Sequence, residues 1–390
     1  MKDIYMDHAS TTIILPEVWE VMDKCGRVAY GNPSTLYNYG IQSKKIVNQS
    51  RRIIANAVGA KPEEIFFCSG GSEADNWALK GTILFSGNKK KHIITTKIEH
   101  SAVLNTCKYL EERGFNVTYL DVDKHGKISL DRLKSSLRED TCLVSIIFAN
   151  NEIGTIQPIK EIGQICKENN IYFHVDAVQA VGHVPINVNE LNISMLSMSA
   201  HKFHGPKGIG ALYIREGTKI DSLIHGGSQE RGKRAGTENV MAIAGMAKAL
   251  ELGIDNMHEN NFKTLKVRNY IVNQISEKID RVRFNGFGDN YIAGIISVSF
   301  EGVDGSILAY LLSEDCIYVS TSSACNSNSI EPSHVLMAIG SSYDIARGTI
   351  RISVNETNTI DEAKYAVDNL KHHIDELRNN SKRNRSMARV

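Results

Sequence analysis

The 390-residue chain reads as an α/β protein with a large domain built on a mostly parallel sheet and a smaller α+β domain. Three observations predict this. Between residues 60 and 215, short apolar runs alternate with helical stretches in the βαβ rhythm of a helix-wrapped parallel sheet. Beyond about residue 250, long amphipathic helices flank short strands. A hydrophobic content of 42% and a charged content of 23% are those of a globular protein with a substantial core.

In order, the elements predicted in the large domain are a strand Ile65–Cys68, a helix from about Ser72, and a strand Ile93–Thr96 followed by a helix from Ser101. Next come a strand Val117–Leu120, a helix around Leu130, a strand Cys142–Ala149, a helix from Pro158 and a strand Ile171–Val175. The strands Ile193–Met198 and Gly208–Ile214 follow, and His225–Gly236 is the clearest long loop. The small domain takes helices Phe262–Lys278 and Ile360–Leu377 with strands Ile295–Phe300, Ile317–Val319 and Thr349–Val354. The boundaries are residues 16–250 for the large domain, 1–15 with 251–378 for the small one, and 379–390 for a basic tail expected to be frayed.

Composition narrows the function. With 45 basic against 44 acidic side chains, no global field draws in nucleic acid or an anionic membrane. Residues 1–10 lack the apolar core of a signal peptide and the longest apolar runs are strand-sized, so a cytoplasmic protein is expected. Its seven cysteines are scattered and never spaced Cys-x-x-Cys, which predicts free thiols and no structural zinc. His201 and His204 flank a lysine with no further ligand at metal spacing, so no metal is expected.

The stretch Ser199–Gly210 (SAHKFHGPKGIG) carries the chemistry. An apolar strand ends in Ser-Ala-His-Lys before Gly205-Pro206 turns the chain, which brings Lys202 to a strand end, where ligands bind in open α/β sheets. Lys207 lies inside the turn. A desolvated lysine amine condenses with aldehydes, and pyridoxal phosphate is the cofactor that commonly uses one. That cofactor needs an acid to hold its pyridine nitrogen protonated, and Asp176 ends the preceding strand, with Gln179 three residues later.

Other stretches gather at the same sheet edge. In Cys68–Asn76 (CSGGSEADN) two glycines let the backbone approach a ligand, and Ser72 is placed to cap a helix whose amides attract phosphate; a plain turn is the alternative. His100, between a strand and a helix, could stack on a ring, carry protons or cap the helix. Asn150-Asn151-Glu152-Ile153-Gly154 suits either a turn or a binding edge. Cys325 sits in the small-residue stretch Ser320–Ser329, where a mobile thiol could act as a nucleophile or be incidental. Arg351 alternates to one face of Thr349–Val354, able to fork onto a carboxylate or to face solvent. Arg231–Asn239 (RGKRAGTEN) is basic and leads into a helix near Thr237.

Together, MDHASTT, GNPST, CSGGSEADN, EHSAV, NNEIG, HVDAVQAVGH, SAHKFHGPKGIG, GGSQERGKRAGTEN, SSACNSNSIEPSHVL and GTIRISV resemble the cysteine desulfurases of the NifS/IscS type over nearly the whole chain. The resemblance implies a fold type I pyridoxal-phosphate enzyme. It matches Lys202 to the cofactor lysine, Asp176 to the pyridine-nitrogen partner, Gln179 to the group near the ring hydroxyl, and His100 to the stacking, proton-carrying histidine. Gly71, Ser72, Ser199 and His201 match phosphate contacts, and Thr237 a residue reaching the phosphate of the other subunit, which implies a homodimer. Asn151 and Arg351 match cofactor and substrate-carboxylate contacts, and Cys325 the persulfide-forming cysteine. Ser72 stands where threonine is frequent, and Ser322 where relatives usually place a glycine.

The activity implied is conversion of L-cysteine to L-alanine, with sulfur passed to a protein of iron–sulfur assembly, tRNA thiolation or cofactor sulfuration. Another pyridoxal-phosphate lyase, for instance one acting on selenocysteine, would share Lys202 and Asp176 without requiring Cys325. A non-catalytic dimeric scaffold would show no turnover.

Overall fold

The computed structural model describes residues 3–86, 90–321 and 332–387; Ser322 and Cys325 lie outside these, as does Arg389 of the tail. The chain opens with β1 (Ile4–Tyr5), then α1 (Pro16–Val28), whose proline occupies a first-turn position that needs no N–H, and α2 (Asn38–Val58). The alternation then begins: β2 (Ile65–Cys68), α3 (Gly71–Ser86), β3 (His92–Thr96), α4 (Ser101–Glu111), β4 (Asn116–Leu120), α5 (Leu130–Ser135), β5 (Thr141–Ile147), α6 (Ile159–Glu168), β6 (Tyr172–Asp176), β7 (Met195–Ser199) and β8 (Gly210–Ile214).

These strands form one seven-stranded sheet in the order β2-β8-β7-β6-β5-β3-β4, in which β8 alone runs against its neighbours. The chain builds outward from β3 to β4, then returns through β5 and β6 to β7 on the other side. The order therefore reverses between β3 and β5, and a crevice opens there at the carboxyl ends of the strands. Period-2 alternation divides the side chains between the two faces. Ile94, Val144, Ile146 and Phe173 join one apolar layer, and Ile93, Leu143 and Met195 the opposite one under α3 and α4.

After α7 (Val240–Asp255) and α8 (Met257–Lys278) come β9 (Val282–Asn285), β10 (Ile295–Phe300), α9 (Gly305–Glu314), β11 (Ile317–Tyr318), β12 (Ser320–Thr321), α10 (His334–Ala338), α11 (Tyr343–Arg347), β13 (Thr349–Ser353) and α12 (Ile360–Met387). A four-stranded antiparallel sheet, β12-β13-β10-β9, packs on α8, α9 and α12. Its core includes Ile271, Val298, Ile350 and Ile352, and also Ile4 and Met6 from the start of the chain. There β1 pairs in parallel with β11.

Several sequence expectations are corrected. The run Cys142–Ala149 is strand only from Thr141 to Ile147. The Phe148 N–H still bonds the Asp176 carbonyl, but the chain is already leaving the sheet. The helix expected near Thr237 starts at Val240, where Asn239 accepts the Ala242 N–H and supplies the cap. The last helix runs past Leu377 to Met387 and takes in most of the expected frayed tail, since no glycine or proline breaks it. Helices α1 and α2 lie where no element had been assigned.

Candidate active site

Six chain segments deliver polar groups to the crevice. Beyond β2 the chain turns at Gly70, whose φ of 154° strains a side chain, into Gly71 and the start of α3. A Cβ at Gly71 would lie 2.6 Å from the Val178 side chain, so the closeness of these two segments requires glycine. Ser72 falls inside the first turn of α3 instead of capping it, and Glu73 is committed elsewhere, accepting the Ser69 N–H and forking with Arg234. The first-turn amides of α3 thus form an edge suited to phosphate.

After β3, His100 is both things the sequence left open. It is the N-cap of α4, its Nδ1 accepting the Ala102 N–H at 3.1 Å, and it lines the cavity. With Nδ1 an acceptor, the neutral ring carries its proton on Nε2. Burial lowers its pKa, an effect that nearby Asp176 opposes. After β5 the paired asparagines divide the work. Asn150 builds the turn, its Oδ1 accepting the Glu152 and Ile153 N–H groups and its Nδ2 donating to Ile98, while Asn151 lines the cavity.

Asp176 ends β6, buried, and accepts the Val178 N–H at 3.0 Å. Burial raises its pKa, while His100, that N–H and Lys202 pull it back. Gln179 donates to the Ala9 carbonyl at 2.8 Å. Lys202 is not on the strand end itself: β7 stops at Ser199, and a short 3₁₀ turn, Ala200–Lys202, lifts the lysine over the edge. Its Nζ donates to the carbonyls of Ala9 and Ser10, at 2.5 and 2.9 Å. His201 contacts Thr11 Oγ1 at 3.2 Å, and burial takes its pKa down to about 4.

From the small domain, Arg351 on β13 reaches across, 4% exposed. It donates to Asp7 at 2.8 Å, to Ser10 Oγ at 2.6 Å and to the Asn151 carbonyl at 2.9 Å, while its buried Nε has no hydrogen-bond partner. A solvated strand face is thereby excluded.

These groups surround one cavity of about 390 Å³ lined by Gly71, Ser72, His100, Asn151, Asp176, Gln179, Ser199, His201, Lys202 and Arg351. A buried carboxylate, a primary amine, an imidazole, a helix start and an orphaned guanidinium N–H fit the nitrogen, aldehyde, ring and phosphate of pyridoxal phosphate and the carboxylate of an amino acid. Thr237 is not brought there; it lines a separate hollow with Ser69, Arg234 and Glu238. Cys325 lies outside the described residues, and the other six cysteines are free thiols.

Sequence reasoning missed four participants. Asp75 lines the cavity and could have been found, because it stands four residues beyond Gly71 on the same helix face. Ala9 and Ser10 had no signal, since their contribution is backbone carbonyls. Glu152, buried, accepts from Ser333 Oγ at 2.5 Å and so ties the turn after β5 to the start of α10. Burial pushes its pKa up to about 7.

Comparison with known proteins agrees with this geometry. The aminotransferase class-V family matches residues 4–365. A Methanosarcina thermophila protein named cysteine desulfurase IscS is 51% identical, the match covering 97% of this chain and 94% of that one. One of the same name from Clostridium botulinum is 50% identical over 94% and 93%. Among solved structures, a NifS-like protein superposes with a TM-score of 0.91 at 40% identity, covering 96% of this chain and all of that one. SspA in complex with cysteine gives 0.81 at 39%, covering 90% and 98%.

Proposed function

The chain belongs to the aminotransferase class-V family, and from that premise we infer that it is a pyridoxal-phosphate-dependent cysteine desulfurase. It converts L-cysteine to L-alanine and leaves the sulfur as a persulfide on Cys325: one C–S bond of the substrate breaks and one S–S bond to the enzyme thiol forms. The observation that carries this reading is the convergence of Lys202, Asp176, His100 and Arg351 on one cavity.

When bound, the cofactor supplies an aldehyde for amines and a ring that accepts electrons. The residues do the rest. The α3 amides at Gly71 and Ser72, with Ser199 and His201, hold the phosphate, and Gln179 and Asn151 fix the ring edge. Asp176 keeps a proton on the ring nitrogen. Arg351 grips the substrate carboxylate with N–H groups that include the orphaned Nε. Lys202 takes the Cα proton from its amine position over the sheet edge, and His100 Nε2 moves the proton needed as the Cys325 thiolate takes the sulfur.

The position of Thr237 away from this chain's own cavity supports a homodimer in which it serves the partner's cofactor phosphate. From the persulfide, sulfur passes to a protein of iron–sulfur assembly or of cofactor or tRNA thiolation. Six free thiols suit the reducing cytoplasm, and among the described residues no helix is long and apolar enough to cross a membrane.

The test is to record the visible spectrum of the loaded protein, add L-cysteine, and assay alanine and sulfide together. A yellow protein whose band shifts and which yields both products is expected. Lys202→Ala should lose the band and both products. A protein that stays colourless and inert with added cofactor, or a Lys202→Ala variant that makes alanine at the native rate, refutes the assignment.

A further inference from the structure

Beside Asp176 lies a second buried carboxylate with no assigned role. Asp75, on the α3 face that packs against the sheet, is 1% exposed. One ligating atom of each of Asp75, His100 and Asp176 lies within 4.8 Å of the others. Two ionised carboxylates so close in a medium of low dielectric repel strongly, and a buried charge without a cation is costly.

The surroundings decide which of the two carries the charge. Asp176 has the Val178 N–H and the fields of His100 and Lys202. Asp75 has no cation partner among the described residues. Its neighbour on the facing strand, His174 of β6, lies 3.6 Å away, but that ring is committed through Nε2 to Ser197 Oγ at 2.9 Å and through Nδ1 to Ser145 Oγ at 2.8 Å, and burial takes its pKa down to about 3. Ser197 also hydrogen-bonds Asp75, yet Asp75 Oδ1 has no hydrogen-bond partner. Glu99 and Cys68 nearby can bring no positive charge, and the field of Glu99 pushes the Asp75 carboxyl further toward its protonated form.

We propose that Asp75 is a positioning residue acting through Asp176: as a neutral carboxylic acid it keeps the proton of the pair, leaving Asp176 the single negative charge on the cavity floor. Burial first, and then repulsion from Asp176, raise the Asp75 pKa well above the carboxylate range, in agreement. The negative charge is then concentrated opposite the ring nitrogen and not divided between two oxygen pairs. The role, though not the protonation state, rests on Asp176 being the nitrogen's partner.

The test has two readouts. In cofactor-free protein at neutral pH, the infrared difference between native and Asp75→Asn should show the loss of one carboxylic-acid carbonyl band; loss of a carboxylate band overturns the proposal. If that variant does not fold, Ser197→Ala keeps the acid but removes its hydroxyl partner. It should shift the same band, and an unshifted acid region overturns the proposal.

In loaded protein, the visible bands of native and Asp75→Asn should coincide at neutral pH and diverge only on the alkaline side, where the native protein alone can gain a second charge. A displaced curve at neutral pH, or curves that coincide throughout, overturns it. A normal visible band in Asp176→Ala would instead sink the Asp176 reading and leave the infrared result standing.

Discussion

Arg351 offers the sharpest test of how substrate is held. Its backbone is fixed on both sides, opposite Ser297 of β10 and Ser320 of β12, so the guanidinium is aimed by the sheet. Three of its five N–H groups are engaged, by Asp7, Ser10 and Asn151, and Nε and one Nη1 N–H are left over. Arg351→Lys keeps the charge, and an ammonium can still meet Asp7, but the planar fork is gone. One or two charge-assisted hydrogen bonds to the substrate carboxylate are then lost, at roughly 1.5–3 kcal/mol each. A net loss of about 2–3 kcal/mol corresponds to a fall of roughly 30- to 150-fold in kcat/KM for L-cysteine.

The control is cysteamine, which has the amine and thiol of cysteine and no carboxylate. The concentration of each compound that half-converts the visible band is measured on native and variant protein. The variant should weaken for L-cysteine and stay unchanged for cysteamine. A loss under about threefold for cysteine refutes carboxylate binding. An equal loss for both compounds means that Arg351 only frames Asn151 and Asp7.

Cys325→Ala should retain the visible band and its half-conversion by L-cysteine while losing sulfide release; undiminished sulfide production removes Cys325 from the chemistry. Glu152 has a pKa raised to about 7 in the fold against 4.5 unfolded, so the native state holds its proton longer, and stability from this group is complete below about pH 4.5 and lost as pH rises toward 7. Glu152→Gln should flatten that decline, by at most about 3 kcal/mol in urea unfolding, and parallel native and variant pH profiles would contradict it. Arg51 and Glu230 form a buried bidentate pair with both contacts at 2.7 Å, and Glu230 also accepts the Phe67 N–H. Arg51→Met strands the carboxylate and should cost about 3–5 kcal/mol, and Arg51→Met with Glu230→Leu should recover most of it; an equally unstable double variant would refute the account.

Much of this site was legible because most of its residues stand at or just beyond the end of a recognisable strand. Asp176 ends β6, His100 and Asn151 follow β3 and β5, and strand ends in a parallel sheet converge by geometry alone. Spacing from Gly71 could place Asp75 at the cavity but not its burial beside a second acid, and Glu152 was hidden because its partner is a serine far along the chain. Helices α1 and α2 escaped notice because they precede the strand alternation that organised the reading. The 3₁₀ turn under Lys202 escaped because three residues are too few to show a period.

The lysine's carbonyl partners also set an order on synthesis. Residues 4–12 are made well before their partners: the Ala9 N–H donates to Ser353 Oγ, 344 residues later, and β1 waits for Ile317 and Tyr318. The large sheet can close once β8 is made, because β2 needs only that partner. The opening strap must remain unpaired while the rest of the chain is translated, and its late closure carries an entropic cost that grows only slowly with the length of the loop. Lys202 therefore receives the Ala9 and Ser10 carbonyls among the last contacts formed. The sheet, the start of α3 and Asp176 need no residue beyond β8, whereas the carbonyls that meet Lys202 are held in place only once Ser353 has been made.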